Sequence, residues 1–208
     1  MILEARGISH YYKNDLALDN VNFEARRGDF IAIVGESGGG KSTLLSILSS
    51  LLRPSHGELF FEGKAYTLIP DIDAFRQKEV GFIFQFHYLI GYLTILENIK
   101  LAAINKQNSA IDALLKQCGI EAIKDKYPDE ISGGQRQRAA IVRALVNAPK
   151  IIFADEPTGN LDSHNSHNIY ELFKMLSKSG TTIIIATHDR KVSEYADKII
   201  EVKDGKIL

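Results

Sequence analysis

The spacing of apolar residues changes twice along the chain. Near the start, Val21, Phe23 and Ala25 alternate with polar residues, which is the period of a strand with one buried face. Between residues 95 and 146, apolar residues recur three or four positions apart, as Ile111 and Leu115 do, and this spacing predicts helices. Beyond this block, short apolar runs return that are typical of parallel strands buried on both faces. Strands that alternate with helices predict a parallel α/β core that carries an inserted helical block.

The boundaries of these elements follow from turn and stop signals such as Gly, Pro and Asn. The predicted strands are Met1–Tyr12, Ala17–Ala25, Phe30–Val34, Glu58–Phe61, Val80–Phe84, Ile151–Ala154, Thr182–Thr187 and Lys198–Val202. The predicted helices are Leu44–Leu52, Ala74–Glu79, Gln135–Val146, Ser163–Ser179 and Val192–Ala196, besides those that begin the 95–146 block.

A glycine-rich loop follows the third predicted strand. The segment Gly35–Thr43 fits the pattern Gly, four residues, Gly-Lys-Ser/Thr, and it lies between a strand and a helix. Glycines allow successive backbone N–H groups to point at one anion, and the following helix adds the positive end of its dipole. Lys41 would bring a full charge to the outer phosphates, and the Ser42 hydroxyl is placed to bind Mg²⁺. The sequence therefore predicts a nucleotide site here.

Two carboxylates end another apolar strand. Asp155 and Glu156 follow Ile151–Ala154, and the carboxyl edge of a parallel sheet is where such folds bind ligands. Asp155 can hold Mg²⁺ or its water, while Glu156 points elsewhere and can accept a proton from an attacking water. The alternative is that both residues cap the following segment.

A second anion site is predicted at the segment Ile131–Arg138. Ser132 and two glycines precede a long helix and would form a helix N-terminus with exposed backbone N–H groups. Two anion sites on one chain are explained if this second surface closes on the nucleotide held by another copy.

Composition and charge add exclusions. Of the 208 residues, 45% are hydrophobic and 25% are charged, which is ordinary for a globular protein, and the net charge of −1 gives no sign of a nucleic-acid surface. No apolar run approaches the roughly 18 residues that would span a bilayer, and Met1 leads into a strand without a signal-peptide pattern. Cys118 is the only cysteine, which favours a reducing compartment.

The segment Ile131–Gln135 resembles the signature of ABC ATPases, usually Leu-Ser-Gly-Gly-Gln, and the order of the other motifs matches this family over essentially the whole chain. The resemblance implies one ABC nucleotide-binding domain, residues 1–208. Within that α/β fold it implies a P-loop, RecA-like parallel-sheet core, an N-terminal antiparallel β subdomain and an inserted α-helical subdomain at about residues 86–148. Ile131 departs mildly from the usual Leu, and the stretch between Gln85 and Ser132 is short for the family.

The resemblance also assigns roles. Gln85 is similar to the Q-loop glutamine, His188 to the switch histidine that contacts the γ-phosphate, and Gly159–Asp162 to the D-loop. Tyr12 stands where the family has an aromatic that stacks on adenine, with Tyr11 as the alternative because neighbours on a strand face opposite ways. The residues expected to bind ATP are Tyr12, Gly35, Ser37, Gly38, Gly39, Gly40, Lys41, Ser42, Thr43, Ser132, Gly133, Gly134, Gln135 and Asp162. Those expected to act in catalysis are Glu156, His188, Lys41 and Gln85, and those expected to bind Mg²⁺ are Ser42, Gln85 and Asp155.

Within the family, the segments 80–85, 93–99 and 155–162 resemble the LolD/MacB-like group. This implies an ATP-hydrolysing transporter subunit that partners an integral membrane permease, forms a homodimer when ATP is bound, and lies on the cytoplasmic face of the cell (inner) membrane. Division-linked FtsE-like proteins share these features, so a regulator that signals through a membrane partner stays open as an alternative. Soluble ABC proteins of repair or translation usually carry a long coiled coil or tandem halves, which this chain lacks.

The segment Phe84–Leu93 is rich in aromatic and apolar residues and contains Gln85. In the resembling family this region flanks a groove that receives a short helix of the permease. Two interpretations of Phe86, Tyr88, Leu89 and Tyr92 stay open at this point: plain core residues, or a docking surface.

Overall fold

The helix that follows the glycine-rich loop lies between two sheets. The computed structural model describes residues 1–104 and 108–208. Its strands are β1 (Leu3–Tyr12), β2 (Asp15–Ala25), β3 (Phe30–Val34), β4 (His56–Phe61), β5 (Lys64–Ala65), β6 (Val80–Ile83), β7 (Ile151–Asp155), β8 (Thr182–Thr187), β9 (Lys198–Lys203) and β10 (Lys206–Ile207). Its α-helices are α1 (Lys41–Leu48), α2 (Ile72–Glu79), α3 (Ile95–Ala102), α4 (Asn108–Gln117), α5 (Gly133–Leu145) and α6 (Ser163–Lys178).

One sheet is antiparallel and the other is mostly parallel. The four-stranded sheet has the order β2-β1-β4-β5 and the six-stranded sheet the order β10-β9-β3-β8-β7-β6. In the larger sheet β9, β3, β8, β7 and β6 pair in parallel, and only β10 pairs antiparallel with β9. The predicted fold class, with a parallel α/β core and an N-terminal antiparallel sheet, is therefore confirmed.

Two apolar cores cover the two faces of the parallel sheet. On β3, Phe30 and Ala32 face a core that includes residues of α3, α4, α5 and α6, whereas Ile31 and Ile33 face a second core around α1. All four of these side chains are fully buried, which explains why β3 is apolar throughout. The helical segment thus shares a core with the sheet, and its treatment as a subdomain at about residues 86–148 stays a prediction.

Some predicted boundaries were wrong. Helix α1 begins at Lys41 and ends at Leu48, several residues earlier than predicted, because Gly40 in a left-handed conformation caps it and Ser50 again takes a positive φ of 64°. Residues Arg190–Glu194 form a 3₁₀ helix after Asp189, whose side chain accepts the Lys191 N–H, and not the helix predicted at Val192–Ala196. The short strands β5 and β10 were not predicted.

Close packing of α5 on β6 leads to a stability prediction. A Cβ added to Gly81 on β6 would lie 2.8 Å from the Ala144 carbonyl oxygen of α5. We expect Gly81→Ala to lower the free energy of unfolding by about 1–3 kcal/mol, because strand and helix would have to separate. Urea unfolding measures this.

Gly91→Ala is the matched control. A Cβ at Gly91 meets no atom within 4 Å and its φ is not positive, so its stability should stay near or slightly above wild type. Equal stability of the two variants would show that the contact between α5 and β6 is looser than described.

Candidate active site

An open cleft of about 540 Å³ lies at the carboxyl edge of the parallel sheet. It is formed where the chain leaves β3, β6, β7 and β8, and it also receives the end of β1. Its lining residues are Tyr12, Ala17, Ser37, Gly38, Gly40, Lys41, Ser42, Thr43, Gln85, Glu156 and His188. Most of the residues predicted for the nucleotide and for catalysis are therefore brought together, although they come from distant parts of the sequence.

The glycine-rich loop depends on close backbone contacts. Gly35 has φ of 151°, and a Cβ there would lie 2.1 Å from the carbonyl oxygen of Val202 on β9. Gly40 has φ of 105° and approaches the Ala17 carbonyl. The Gly205 N–H donates to the Gly39 carbonyl at 3.0 Å. The loop is thus held from outside by β2 and by the β9–β10 turn, and side chains at these glycines would displace it.

Lys41 is buried, and its ammonium group is hydrogen-bonded to the glycine-rich loop. Its exposure is 7%, and its Nζ donates to the carbonyl oxygens of Gly35 (2.9 Å) and Glu36 (2.8 Å). These contacts tie the ammonium group to the loop that wraps around it. The charge is therefore already inside the cleft, where its attraction for a phosphate is screened less than at the surface.

Ser42 and Asp155 form a pair that suits Mg²⁺. The Ser42 hydroxyl donates to Asp155 Oδ1 at 3.0 Å. Burial raises the pKa of the Asp155 carboxyl, and the hydrogen bond from Ser42 opposes part of that rise. Mg²⁺ prefers oxygen ligands and usually takes only one or two from the protein besides water and phosphate. Among the described residues, no group of three or more His, Cys, Asp or Glu side chains is arranged to hold a metal ion by itself, and the Ser42–Asp155 pair fits a site with few protein ligands.

Glu156 adopts an unusual backbone conformation. Its φ is 45°, a left-handed value that costs a non-glycine residue on the order of 1–2 kcal/mol. Its N–H donates to the Ala186 carbonyl at 2.8 Å, which holds the peptide in place. Such strain persists only where the surroundings fix the residue, and it is concentrated at functional sites.

Both carboxylate oxygens of Glu156 accept hydrogen bonds. Thr187 Oγ1 donates to Oε2 at 2.9 Å, while the backbone N–H and Nδ1 of His188 donate to Oε1 at 3.0 and 2.8 Å. The His188 side chain is 68% exposed and that of Glu156 only 17%. The histidine is thus free to turn, whereas the carboxylate is fixed.

Tyr12, and not Tyr11, lies at the cleft. The Tyr12 hydroxyl is 3.5 Å from Thr43 Oγ1, and the ring packs edge-on against His10. Tyr11 packs edge-on against His56 on the neighbouring strand. This placement favours Tyr12 for the adenine role, which stays a prediction.

The signature residues do not line the cleft of their own chain. Ser132 caps α5, where its Oγ accepts the Gln135 N–H while Gln135 Oε1 accepts the Ser132 N–H. Ser132 is exposed, and Gly133 follows it as the first residue of α5. A Cβ on Gly134 would lie 2.7 Å from Asn165 Oδ1 of α6. Asp162 caps α6 through the Asn165 N–H at 2.8 Å, so within the chain it has a structural role that the sequence did not predict.

Two residues at the site were missed. Thr187, which donates to Glu156, was assigned only to a strand, and Ala17 was seen only as the start of one. The position of Thr187 directly before His188 was a signal that could have indicated its role. Ala17 gave none, because its carbonyl reaches Gly40 across a distance in sequence that no local pattern records.

Comparison with known proteins agrees with this geometry. The pattern of the ABC transporter family matches residues 18–159. The lipoprotein-releasing system ATP-binding protein LolD of Aquifex aeolicus is 40% identical, over 100% of this chain and 96% of that protein. The macrolide export ATP-binding/permease protein MacB of Vibrio parahaemolyticus is 42% identical over 92% of this chain, which spans only 30% of that longer protein.

A solved structure shows the same fold. The ATP-binding cassette MJ0796, in a dimeric post-hydrolysis state bound to ADP and Pi, superimposes with a TM-score of 0.90 and 36% identity, over 99% of this chain and 96% of that one. Among the described residues, no helix is long and apolar enough to cross a membrane.

The raised pKa of Asp155 leads to a pH prediction. A carboxyl whose pKa is higher in the folded than in the unfolded chain lowers stability as pH rises through that range. We therefore expect ligand-free Asp155→Asn to be at least as stable as wild type at pH 7, with the advantage shrinking towards about pH 4. Thermal unfolding across pH measures it.

Asp162→Asn is the control, and its stability relative to wild type should change with pH in the opposite direction. The pKa of Asp162 is lowered by hydrogen bonds from the backbone N–H and side chain of Asn165, so its contribution is present at neutral pH and lost in acid. If Asp155→Asn were clearly less stable than wild type at pH 7, the Asp155 charge would stabilise the ligand-free fold, contrary to this argument.

Proposed function

Because the chain belongs to the ABC transporter family and is an ATP-binding, ATP-hydrolysing cassette, we propose that it powers a membrane permease of the lipoprotein-releasing or MacB-like kind. The observation that carries the ATP chemistry is the cleft that Lys41, Ser42, Glu156 and His188 line, with Asp155 hydrogen-bonded to Ser42. The likeness to LolD over the full chain supports the choice of permease class.

We assign the chemistry as follows. Lys41 and the loop N–H groups bind the phosphates, and Tyr12 packs against the adenine ring. Ser42 and Asp155, with Gln85 at the cleft wall, would hold Mg²⁺, which would supply positive charge to offset that of the phosphates. Glu156 accepts the proton of the attacking water. The His188 ring leaves Glu156 Oε1 and turns to the γ-phosphate, which frees that oxygen from the hydrogen bond of the ring.

The site is completed by a second copy. Ser132–Gln135 and Asp162 do not line the cleft of their own chain, while Ser132, which caps α5, is exposed. A helix N-terminus attracts phosphate, so we assign the signature to the nucleotide of the other protomer. The dimeric state of MJ0796 with ADP and Pi supports this arrangement.

The permease docks on the aromatic segment Phe84–Leu93. Phe86 and Tyr88 are both 63% exposed and Tyr92 is 81% exposed, whereas Leu89 packs partly buried on the core. The segment is also hydrogen-bonded to α5, the signature helix, because Arg143 of α5 donates to the carbonyl oxygens of His87 (2.6 Å) and Tyr88 (2.7 Å). Gln85 at one end faces the cleft. One short segment thereby connects the docking surface to the nucleotide cleft and to the signature helix.

This function implies action at the cytoplasmic face of the membrane, in complex with the permease. Purification of the complex from membranes and identification of the bound integral partner test it. A permease supports transport, whereas a partner that controls cell-wall enzymes would indicate an FtsE-like regulator instead.

The dimer predicts a specific behaviour of Glu156→Gln. The variant should bind ATP with near-normal affinity but hydrolyse it ~10²–10⁴-fold more slowly, because the proton acceptor is lost. With MgATP it should elute as a dimer in sizing chromatography, since closed protomers can no longer reopen through hydrolysis.

Ser132→Arg tests the shared site separately. Alone, it should leave ATP affinity near wild type, because the cleft is intact, and should abolish hydrolysis. Combined with Glu156→Gln, it should abolish the ATP-bound dimer. If Glu156→Gln stays monomeric at high protein and ATP, or if Ser132→Arg weakens ATP binding as strongly as hydrolysis, a shared site is contradicted.

The docking surface predicts a separation of binding from chemistry. Tyr88 has φ of 47°, a conformation that Asp tolerates well, so Tyr88→Asp should fold normally and hydrolyse ATP at the wild-type rate. Its co-sedimentation with membranes that contain the permease should fall at least ~10-fold, the effect of losing one central aromatic.

Two variants serve as controls. Met175→Asp, on the exposed face of α6, should still co-sediment, and Leu89→Asp should lower the melting temperature because Leu89 packs on the core. If Tyr88→Asp binds the membranes as wild type does, the permease docks elsewhere.

A further inference from the structure

Tyr170 of α6 is the largest fully buried side chain in the described part of the chain. Its ring packs in the core that α6 shares with the parallel sheet, and its centroid lies 5.2 Å from that of the Tyr195 ring. A phenol group in such a place needs hydrogen-bond partners, because an unpaired buried hydroxyl is costly. A phenylalanine would fill the same volume without that requirement.

The two partners of the Tyr170 hydroxyl lie close in sequence to Glu156 and to His188. The hydroxyl donates to Asp189 Oδ2 at 3.1 Å and is 2.8 Å from Thr158 Oγ1, which is placed to donate to it. Thr158 is two residues after Glu156, and Asp189 directly follows His188. One hydroxyl therefore joins the two loops that carry the proposed proton acceptor and the proposed γ-phosphate contact.

The contacts continue from Asp189 to the carboxylate itself. The Asp189 N–H donates to Thr187 Oγ1 at 3.0 Å, and Thr187 Oγ1 donates to Glu156 Oε2 at 2.9 Å. The Asp189 N–H can only donate, so Thr187 Oγ1 accepts from it and directs its own proton to Glu156, while the Asp189 side chain is held by Tyr170. The left-handed φ of Glu156 needs such support from both flanking segments.

We propose that Tyr170 is a positioning residue for ATP hydrolysis, whose hydroxyl holds the Glu156 and His188 loops at the separation that the reaction needs. The proposal rests on the function given to Glu156 and His188 above. Tyr170 does not line the cleft, so its effect passes through Thr158, Asp189 and Thr187.

The test is Tyr170→Phe, which keeps the ring and removes only the hydroxyl. We expect kcat for ATP hydrolysis to fall roughly 3- to 10-fold, the effect of one lost hydrogen bond, with KM and ATP affinity unchanged within about twofold. Thr158→Val should lower kcat similarly, Thr158→Ser should retain most of it, and the double variant Tyr170→Phe/Thr158→Val should be no slower than the slower single one.

Tyr66→Phe is the matched control. Tyr66 also donates a hydrogen bond from a partly buried ring, to the Leu48 carbonyl at 3.0 Å on the far end of α1. It should lose some thermal stability and keep the wild-type kcat. A structural role for Tyr170 would give this same pattern, so a wild-type kcat for Tyr170→Phe, or kcat losses that multiply in the double variant, overturns the proposal.

Glu156→Gln separates this proposal from the function on which it rests. If Glu156→Gln abolishes turnover and Tyr170→Phe leaves it unchanged, only the positioning role fails. If Glu156→Gln itself hydrolyses ATP at the wild-type rate, the role of Glu156 fails, and the Tyr170 proposal fails with it.

Discussion

The parallel hydrogen-bonded ladder of β3, β8, β7 and β6 determines where every proposed catalytic group lies. Its register pairs Val34 with Thr187 and Asp155 with Ala186, so the neighbouring strands end nearly level. Each strand then releases its functional residue at the same edge: the glycine-rich loop after β3, His188 after β8, Glu156 after β7 and Gln85 just beyond β6. The burial of both faces keeps this ladder rigid, which lets hydrogen bonds near 3 Å align between segments over 100 residues apart, as for Ser42 and Asp155.

His188 after β8 was recognised only through the resemblance to ABC ATPases, and the short strands β5 and β10 were not predicted. Local patterns were sufficient for the longer strands, the glycine-rich loop and the carboxylates at the end of β7. Their signals are short: apolar runs, glycines at fixed spacing, and carboxylates at a strand end. The sequence favoured Tyr12 over Tyr11 only through its place in the family pattern, since strand alternation alone gives two answers and the register shifts along β1 remove any simple count. The burial of Tyr88 and Leu89, which are adjacent in sequence, could not be predicted either, because only the fold shows that Leu89 packs on the core and Tyr88 does not. The contacts of Tyr170 connect three segments and have no sequence signature.

The glycine-rich loop and the signature helix stand in contrast. The loop is closed by its own chain, with Lys41 already bound to carbonyl oxygens of the loop that it serves. At the start of α5, Ser132 and Gln135 hydrogen-bond each other, and Ser132 remains exposed, but neither residue lines the cleft. Under the function proposed above, the cleft is one half of the site and the start of α5 is the other half, and the two halves lie apart within one chain. In the proposed dimer, association between protomers would therefore control the chemistry.

The contact between Gly35 and Val202 has a consequence for synthesis on the ribosome. The glycine-rich loop is made early, but both neighbours of β3 in the sheet are residues beyond 180, and the loop is braced by Val202 and Gly205. The loop can therefore reach its final conformation only after nearly the whole chain has been synthesised. Since domains of this kind fold as units during translation, a nascent chain cannot bind nucleotide through a finished loop until these last strands have emerged. ATP is then captured only by a chain whose core is already closed.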